Sequence, residues 1–187
     1  MHTSLAKSSI AAVVLSFAAM AAAQSFDSLA LAQGKPVQPT LTFAFELRAT
    51  VGAPLEVGAV AQGRRRIVSI TGGTFEGPNI RGKVMPGGAD WQIIRPDGFT
   101  ELDTRYTIET DKGQVVYVQN AGMRHAAPDV MKRLLAGESV DPALVYFRTV
   151  PKFETAGPDL QWLTRAVFVG MGERYPNDVR IRFFRVE

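Results

Sequence analysis

Three turn signatures crowd into one short stretch of this chain: Pro86-Gly87-Gly88, Pro96-Asp97-Gly98 and Asp111-Lys112-Gly113. Each has the residues a tight reversal needs, and the last places a glycine where a three-residue hairpin wants a left-handed position. The segments they separate, residues 91–94, 104–110 and 114–119, are short and strand-like. A chain punctuated so closely folds into neighbouring antiparallel strands.

The rest of the sequence extends that pattern. Leu41, Phe43, Phe45 and Leu47 fall on one face of a strand, with Thr42, Glu46 and Arg48 on the other. Residues 63–66 read as a turn, and 67–70 as a strand that ends at Gly72-Gly73. Further strands are expected at residues 79–84, 144–149, 164–169 and 179–186. One helix is expected, with Pro128 in its first turn, Asp129 at the positive end of the dipole, and Gly137 ending it after Met131, Leu134 and Leu135. The fold class is therefore mainly β: a single antiparallel up-and-down β-barrel, calycin- or lipocalin-like in shape, with one short helix. Closure also removes exposed strand edges.

The N-terminus has the layout of an export signal. Lys7 precedes an apolar run from Ile10 to Ala23, and Ala21-Ala22-Ala23 supplies small residues for cleavage before Gln24. Ala30-Leu31-Ala32 is a weaker second site. The run is about 14 residues, against roughly 18 or more for a membrane-spanning helix. Residues 1–23 are thus expected to be a signal peptide, 24–38 a flexible leader segment, and 39–187 the barrel domain. The processed protein is expected to be exported, periplasmic or secreted, with no stable membrane anchor.

Composition removes several kinds of chemistry. Cysteine is absent, so disulfides, thiolate metal sites and a cysteine nucleophile are excluded. His125 alone remains once His2 leaves with the leader, too few for a multi-histidine metal site. Ser69 or Ser139 could be counted into a triad with His125, but neither lies in a nucleophile elbow. Gly170-Met171-Gly172 lacks the strand-to-helix setting of a phosphate cradle. No metal or cofactor is expected. The net charge of +3, +2 once Lys7 is removed, and the single basic run Arg64-Arg65-Arg66 argue against nucleic acid. A prevalence of arginine over lysine suits carboxylate or phosphate ligands, which guanidinium pairs in bidentate fashion.

What remains is carboxylate, arginine and aromatic chemistry. Asp90 stands at the mouth of a strand after a glycine pair. Arg105 shares a strand face with Asp103, Thr107 and Glu109, while Thr104, Tyr106 and Ile108 point the other way. If Asp90 faces Arg105 inside the barrel, the two form either a structural ion pair or a poised carboxylate beside an anion-binding arginine. Glu76 and Glu154 are either general acids or bases, or loop carboxylates accepting backbone hydrogen bonds. Arg124 and Arg148 are further anion-facing candidates, and Trp91, Tyr106, Phe147 and Trp162 are candidate apolar walls.

These motifs together resemble a known family. Gly72-Gly73-Thr74-Phe75-Glu76-Gly77-Pro78, Gly82, Pro86-Gly87-Gly88-Ala89-Asp90-Trp91, Asp103-Thr104-Arg105-Tyr106 and residues 117–124 are similar to the DUF3237 (UPF0311) family. Residues 146–155 and Trp162-Leu163 extend the likeness, which covers nearly all of 41–186. The resemblance implies one β-barrel domain and brings no catalytic set with it. Its recurring polar positions transfer as pocket candidates: Glu76, Asp90, Arg105, Tyr106, Arg124, Arg148 and Glu154.

Two functions follow as expectations. The first is an exported barrel that binds a small carboxylate-bearing or aromatic molecule, with Trp91, Tyr106, Arg124, Arg148 and Glu154 at the ligand. The second is a cofactor-free isomerase, lyase, cyclase or hydrolase, with Asp90 as general base, Arg105 as anion stabiliser and Glu76 or Tyr106 as proton donor. An assembly role without a pocket is the third reading. A symmetric homodimer is the commonest assembly such a chain could form.

Overall fold

A computed structural model describes residues 38–187. The signal peptide assigned to 1–23, and all but the last residue of the segment 24–38, lie outside the described residues. Ten strands follow one another: β1 (Leu41–Val51), β2 (Leu55–Val60), β3 (Gly63–Glu76), β4 (Arg81–Val84), β5 (Ala89–Ile94), β6 (Thr100–Thr110), β7 (Val115–His125), β8 (Tyr146–Thr155), β9 (Phe168–Arg174) and β10 (Asp178–Val186). Helix α1 (Pro128–Leu135) lies between β7 and β8, and the one-turn helix α2 (Gln161–Thr164) between β8 and β9.

All pairings are antiparallel, and the sheet closes on itself through β1 and β3. β4 and β5 share one position in the wall, pairing with the C-terminal and N-terminal halves of β3 respectively, and both with β6. Counted this way the barrel has eight strands. β2 lies beside the N-terminal half of β3, beyond the stretch that pairs with β1.

Local chemistry explains most boundaries. The β6–β7 hairpin turns at Asp111-Lys112-Gly113, where Gly113 adopts φ +75°. Gly73, at φ +137°, lies where β3 crosses β1, and a Cβ there would run into the carbonyl oxygen of Arg48. Only glycine allows that close approach, which tightens the seam that closes the barrel. Helix α1 starts at Pro128 and buries Val130, Met131 and Leu134 against Leu102, Val145 and Phe147.

Several boundaries differ from the sequence reading. β3 does not end at Gly72-Gly73 but continues to Glu76, where it pairs with β1 and β4. β7 and β8 run on to His125 and Thr155. Residues 63–66 are not a turn but the start of β3, which reverses from β2 at Ala61-Gln62. The arginine run is accommodated in a strand because Arg64 and Arg66 pair across to Glu56 on β2. Asp141 caps a single 3₁₀ turn at Pro142–Leu144, so β8 begins at Tyr146. Residues 161–164 are helical, which delays β9 to Phe168.

One half of the interior is packed with phenylalanine. Phe45 contacts Phe183 at 4.9 Å, Phe75 at 5.8 Å and Phe153 at 6.0 Å between ring centroids, and Phe153 meets Phe168 edge-on at 5.2 Å. Ile108, Val116 and Val118 fill the same layer without exposure. Among the described residues this layer is built of apolar side chains with the Tyr106 ring at its edge, and it forms a solid floor.

Candidate functional site

Above that floor the inward positions turn polar. Strand alternation decides which side chains arrive there, since residues two apart share a face. On β7 the inward series runs Val116, Val118, Asn120, Gly122, Arg124: two valines in the floor, then an amide, then a guanidinium. β5 contributes Asp90 and Gln92, β6 contributes Thr104 and Tyr106, and β8 contributes Phe147 and Thr149. These groups surround a cavity of about 50 Å³.

Gln92 joins two of the three charged residues that line this cavity, Asp90 and Arg124. Its Nε2 donates to Asp90 Oδ2 at 2.6 Å, and its Oε1 accepts a long bond from the Arg124 guanidinium at 3.5 Å. Several other polar atoms have no partner among the described residues. Asp90 Oδ1, the Tyr106 hydroxyl, both amide atoms of Asn120, Arg124 Nε and Thr149 Oγ1 are buried without a hydrogen-bond partner.

Burial shifts these groups in the expected directions. It pushes the Asp90 carboxyl above the usual aspartate range, against the opposing pull of the Gln92 bond, the nearby Thr104 hydroxyl, the Arg124 charge and the Asp103 backbone. Burial lowers Arg124 to about 10, with Asp90 opposing and Arg174 and Arg66 adding repulsion. The guanidinium also lies 5.7 Å from the centre of the Phe147 ring. Tyr106 is pushed up by burial alone, so its hydroxyl stays a donor at neutral pH.

The barrel brings together only some of the candidates read from the sequence. Asp90, Tyr106 and Arg124 converge on the cavity. Arg105 does not face Asp90: the register sets Asp90 opposite Thr104, and Arg105 points outward to Asp103 at 3.3 Å with its side chain 48% exposed. Trp91 lies between the inward residues Asp90 and Gln92, so it faces away from the cavity, and its carbonyl accepts from Arg65. Glu76 is exposed at the floor end of β3, beside a surface groove shared with Asp111 and Asp159. Arg148 lies outside, donating to the Phe147 carbonyl and covering the Tyr146 ring. Glu154 is exposed beside Gln119. Of the walls, Phe147 faces the cavity, whereas Trp162 packs on Phe168 at the floor.

Sequence reasoning passed over Gln92, Asn120, Thr149, Arg66 and Arg174. A signal existed for Asn120 and Gln92: each sits two residues from an inward neighbour, Val118 or Asp90, so its side was already fixed. Arg174 gave no such cue, because Gly170 and Gly172 precede it on its face.

A family model described as "Protein of unknown function (DUF3237)" matches residues 39–186. The chain belongs to the DUF3237 family. A UPF0311 protein of Rhodopseudomonas palustris is 45% identical over 150 residues, covering 79% of this chain and 98% of the relative. A β-barrel-like protein of Acinetobacter baumannii, solved by crystallography, superposes with a TM-score of 0.73 at 37% identity, over 83% of this chain and all of that one. The crystal structure of an enzyme from Penicillium herquei has a TM-score of 0.62 at 21% identity, over 83% of this chain and 99% of that one. At that identity the likeness speaks to the fold alone.

Proposed function

We propose that this DUF3237 protein is an exported barrel that binds a small carboxylate-bearing or aromatic molecule through its interior. The observation that carries the reading is the set of five cavity-lining residues, Asp90, Tyr106, Asn120, Arg124 and Thr149, with buried polar atoms that no described residue pairs. A buried polar group left unpaired costs about 1–3 kcal/mol, and folded proteins keep few of them. Convergence of several on one cavity favours a partner that brings both donors and acceptors. At about 50 Å³ the cavity has room for the polar end of a ligand, a hydroxyl or carboxyl, and not for a whole aromatic molecule. The layout of residues 1–23 supports export.

Calorimetric titration with small phenols and aromatic acids tests this. Binding should weaken at least tenfold in Asn120→Leu, and also fall in Asp90→Asn. If no member of the panel binds, or both variants bind as wild type does, the cavity holds water and the reading is wrong.

A second reading is favoured by Asp90 itself. A buried carboxyl whose pKa is raised by burial, on the wall of a cavity, is suited to moving a proton at neutral pH. In a cofactor-free isomerase, lyase, cyclase or hydrolase, Asp90 would act as general base. Arg124, not Arg105, would steady the developing negative charge. Asp90→Asn should then abolish turnover of a bound molecule while the variant still folds. Retained turnover would remove Asp90 from the chemistry.

A further inference from the structure

The end of the barrel opposite the phenylalanine floor gathers three guanidinium groups from three strands: Arg66 on β3, Arg124 on β7 and Arg174 on β9. All three border a cavity of about 320 Å³, adjoining the interior one, whose far wall is the last turn of α1 with Leu134 and Leu135. A volume of that size falls at the lower end of the range for small-molecule pockets.

The positive charge here is poorly matched. Among the described residues, Arg66 alone of the three has a carboxylate within ion-pair distance, Glu56 at 2.6 Å, and Glu56 also serves Arg64 at 3.9 Å. Arg174 donates to the backbone carbonyl of Asp178 at 3.2 Å, while the Asp178 carboxylate is taken by Arg180. Arg124 is 3% exposed, and its Nε has no partner. Asp90 meets Arg124 only through Gln92. The negative end of α1 does not supply the missing charge. Its last carbonyls, on Lys132, Arg133 and Leu134, accept from the amides of Ala136, Glu138 and Gly137.

Three guanidiniums crowded on one cavity repel one another, and a buried one without an ionic partner is costly to keep. An oxyacid group would relieve both. Carboxylate and phosphate match the planar fork of arginine, and charge-assisted bonds of this kind are about twice as strong as neutral ones. We propose that this mouth is an anion subsite. It takes the carboxylate or phosphate of a ligand whose apolar part lies against Leu134 and Leu135 and whose uncharged polar end reaches Asp90 and Asn120. The inference rests on the ligand-binding reading of the interior and adds where the charge of the ligand sits.

Calorimetry on the intact chain at low ionic strength, with phenol, benzoate, phenyl phosphate and inorganic phosphate as probes, separates the two. Benzoate or phenyl phosphate should bind at least tenfold tighter than phenol, and inorganic phosphate should compete with both. Arg174→Gln and Arg66→Gln should each weaken the anionic probes by about tenfold to a hundredfold, leaving phenol within about twofold. Arg174→Lys should recover part of the loss. Phenyl phosphate above benzoate would assign the site to phosphate monoesters, the reverse order to carboxylates, and either order supports the subsite.

Anionic probes that ignore both glutamine variants would overturn it, even where phenol binds and Asn120→Leu removes that binding. In that case the interior reading survives alone. If phenol fails to bind while the anions bind and depend on Arg174, the subsite stands and the interior reading falls.

Discussion

At the level of Phe45, the barrel interior is five phenylalanine rings, Phe45, Phe75, Phe153, Phe168 and Phe183, in mutual contact and almost wholly sealed from solvent. A few residues further along the same strands, the inward positions hold Asp90, Gln92, Asn120, Arg124 and Thr149, most of them short of partners. Both layers are enclosed by the same wall and the same ladder of backbone hydrogen bonds. The difference lies in what each layer contributes. The rings bury apolar area and fix the wall in one register. The polar layer gives up stability, because several of its buried groups have no partner among the described residues. A preorganised site needs such a rigid support, because unpaired groups hold their places only if the frame around them does not collapse.

Four substitutions break or sharpen this contrast. The largest effect belongs to the floor: Phe45→Ala should cost about 3–5 kcal/mol in chemical denaturation, through lost transfer energy and the cavity left behind. A loss below about 1 kcal/mol would mean that the floor is not what holds the barrel. In the polar layer the sign should reverse. Asn120→Leu removes two buried atoms that lack partners and extends into the adjoining cavity, so stability should rise by about 1 kcal/mol while ligand binding is lost. A strongly destabilised Asn120→Leu would show that the amide is satisfied in the folded protein.

The third test is read as a pH dependence. The folded-state pKa of Asp90 lies above its ordinary value of 3.8, through burial. Its contribution to stability is therefore fully present below that value and is lost as pH rises through the raised one. Other carboxylates, such as Glu46 held down by Arg48, follow the opposite course, so the quantity to follow is the difference between variant and wild type. The melting temperature of Asp90→Asn relative to wild type should climb between about pH 3 and pH 7. A flat difference would place the Asp90 carboxylate in solvent.

The smallest effect is expected outside the wall. Arg105→Ala should change stability by no more than about 0.5 kcal/mol and leave binding of every probe untouched. Altered binding would restore Arg105 to the site from which the register excludes it.

Much of the fold was legible in the sequence because its cues are local. Asp111-Lys112-Gly113 makes a hairpin whatever surrounds it. The alternation of residues 41–47, and the split of Tyr106 from Arg105, follow from the period of two. The reading failed where a partner far away in the chain mattered. Arg64-Arg65-Arg66 looked like a turn because nothing nearby showed that Glu56 would stand across from it. Arg105 was matched with Asp90 on type and proximity of motif, yet a register one residue different turns the guanidinium to the outside.

The sequence by itself determined a β-rich chain with tight reversals, the face to which each strand residue belongs, and the family. The tertiary structure alone decided which faces look at each other. The gathering of Arg66, Arg124 and Arg174 at one mouth, and of Asp90 with Asn120 and Thr149 below it, depends on the pairing of β1 with β3 and on the register of six other strands. Those are long-range hydrogen-bond choices. Side-chain period is a property of the local backbone, whereas closure and register are settled by the packing of the whole barrel.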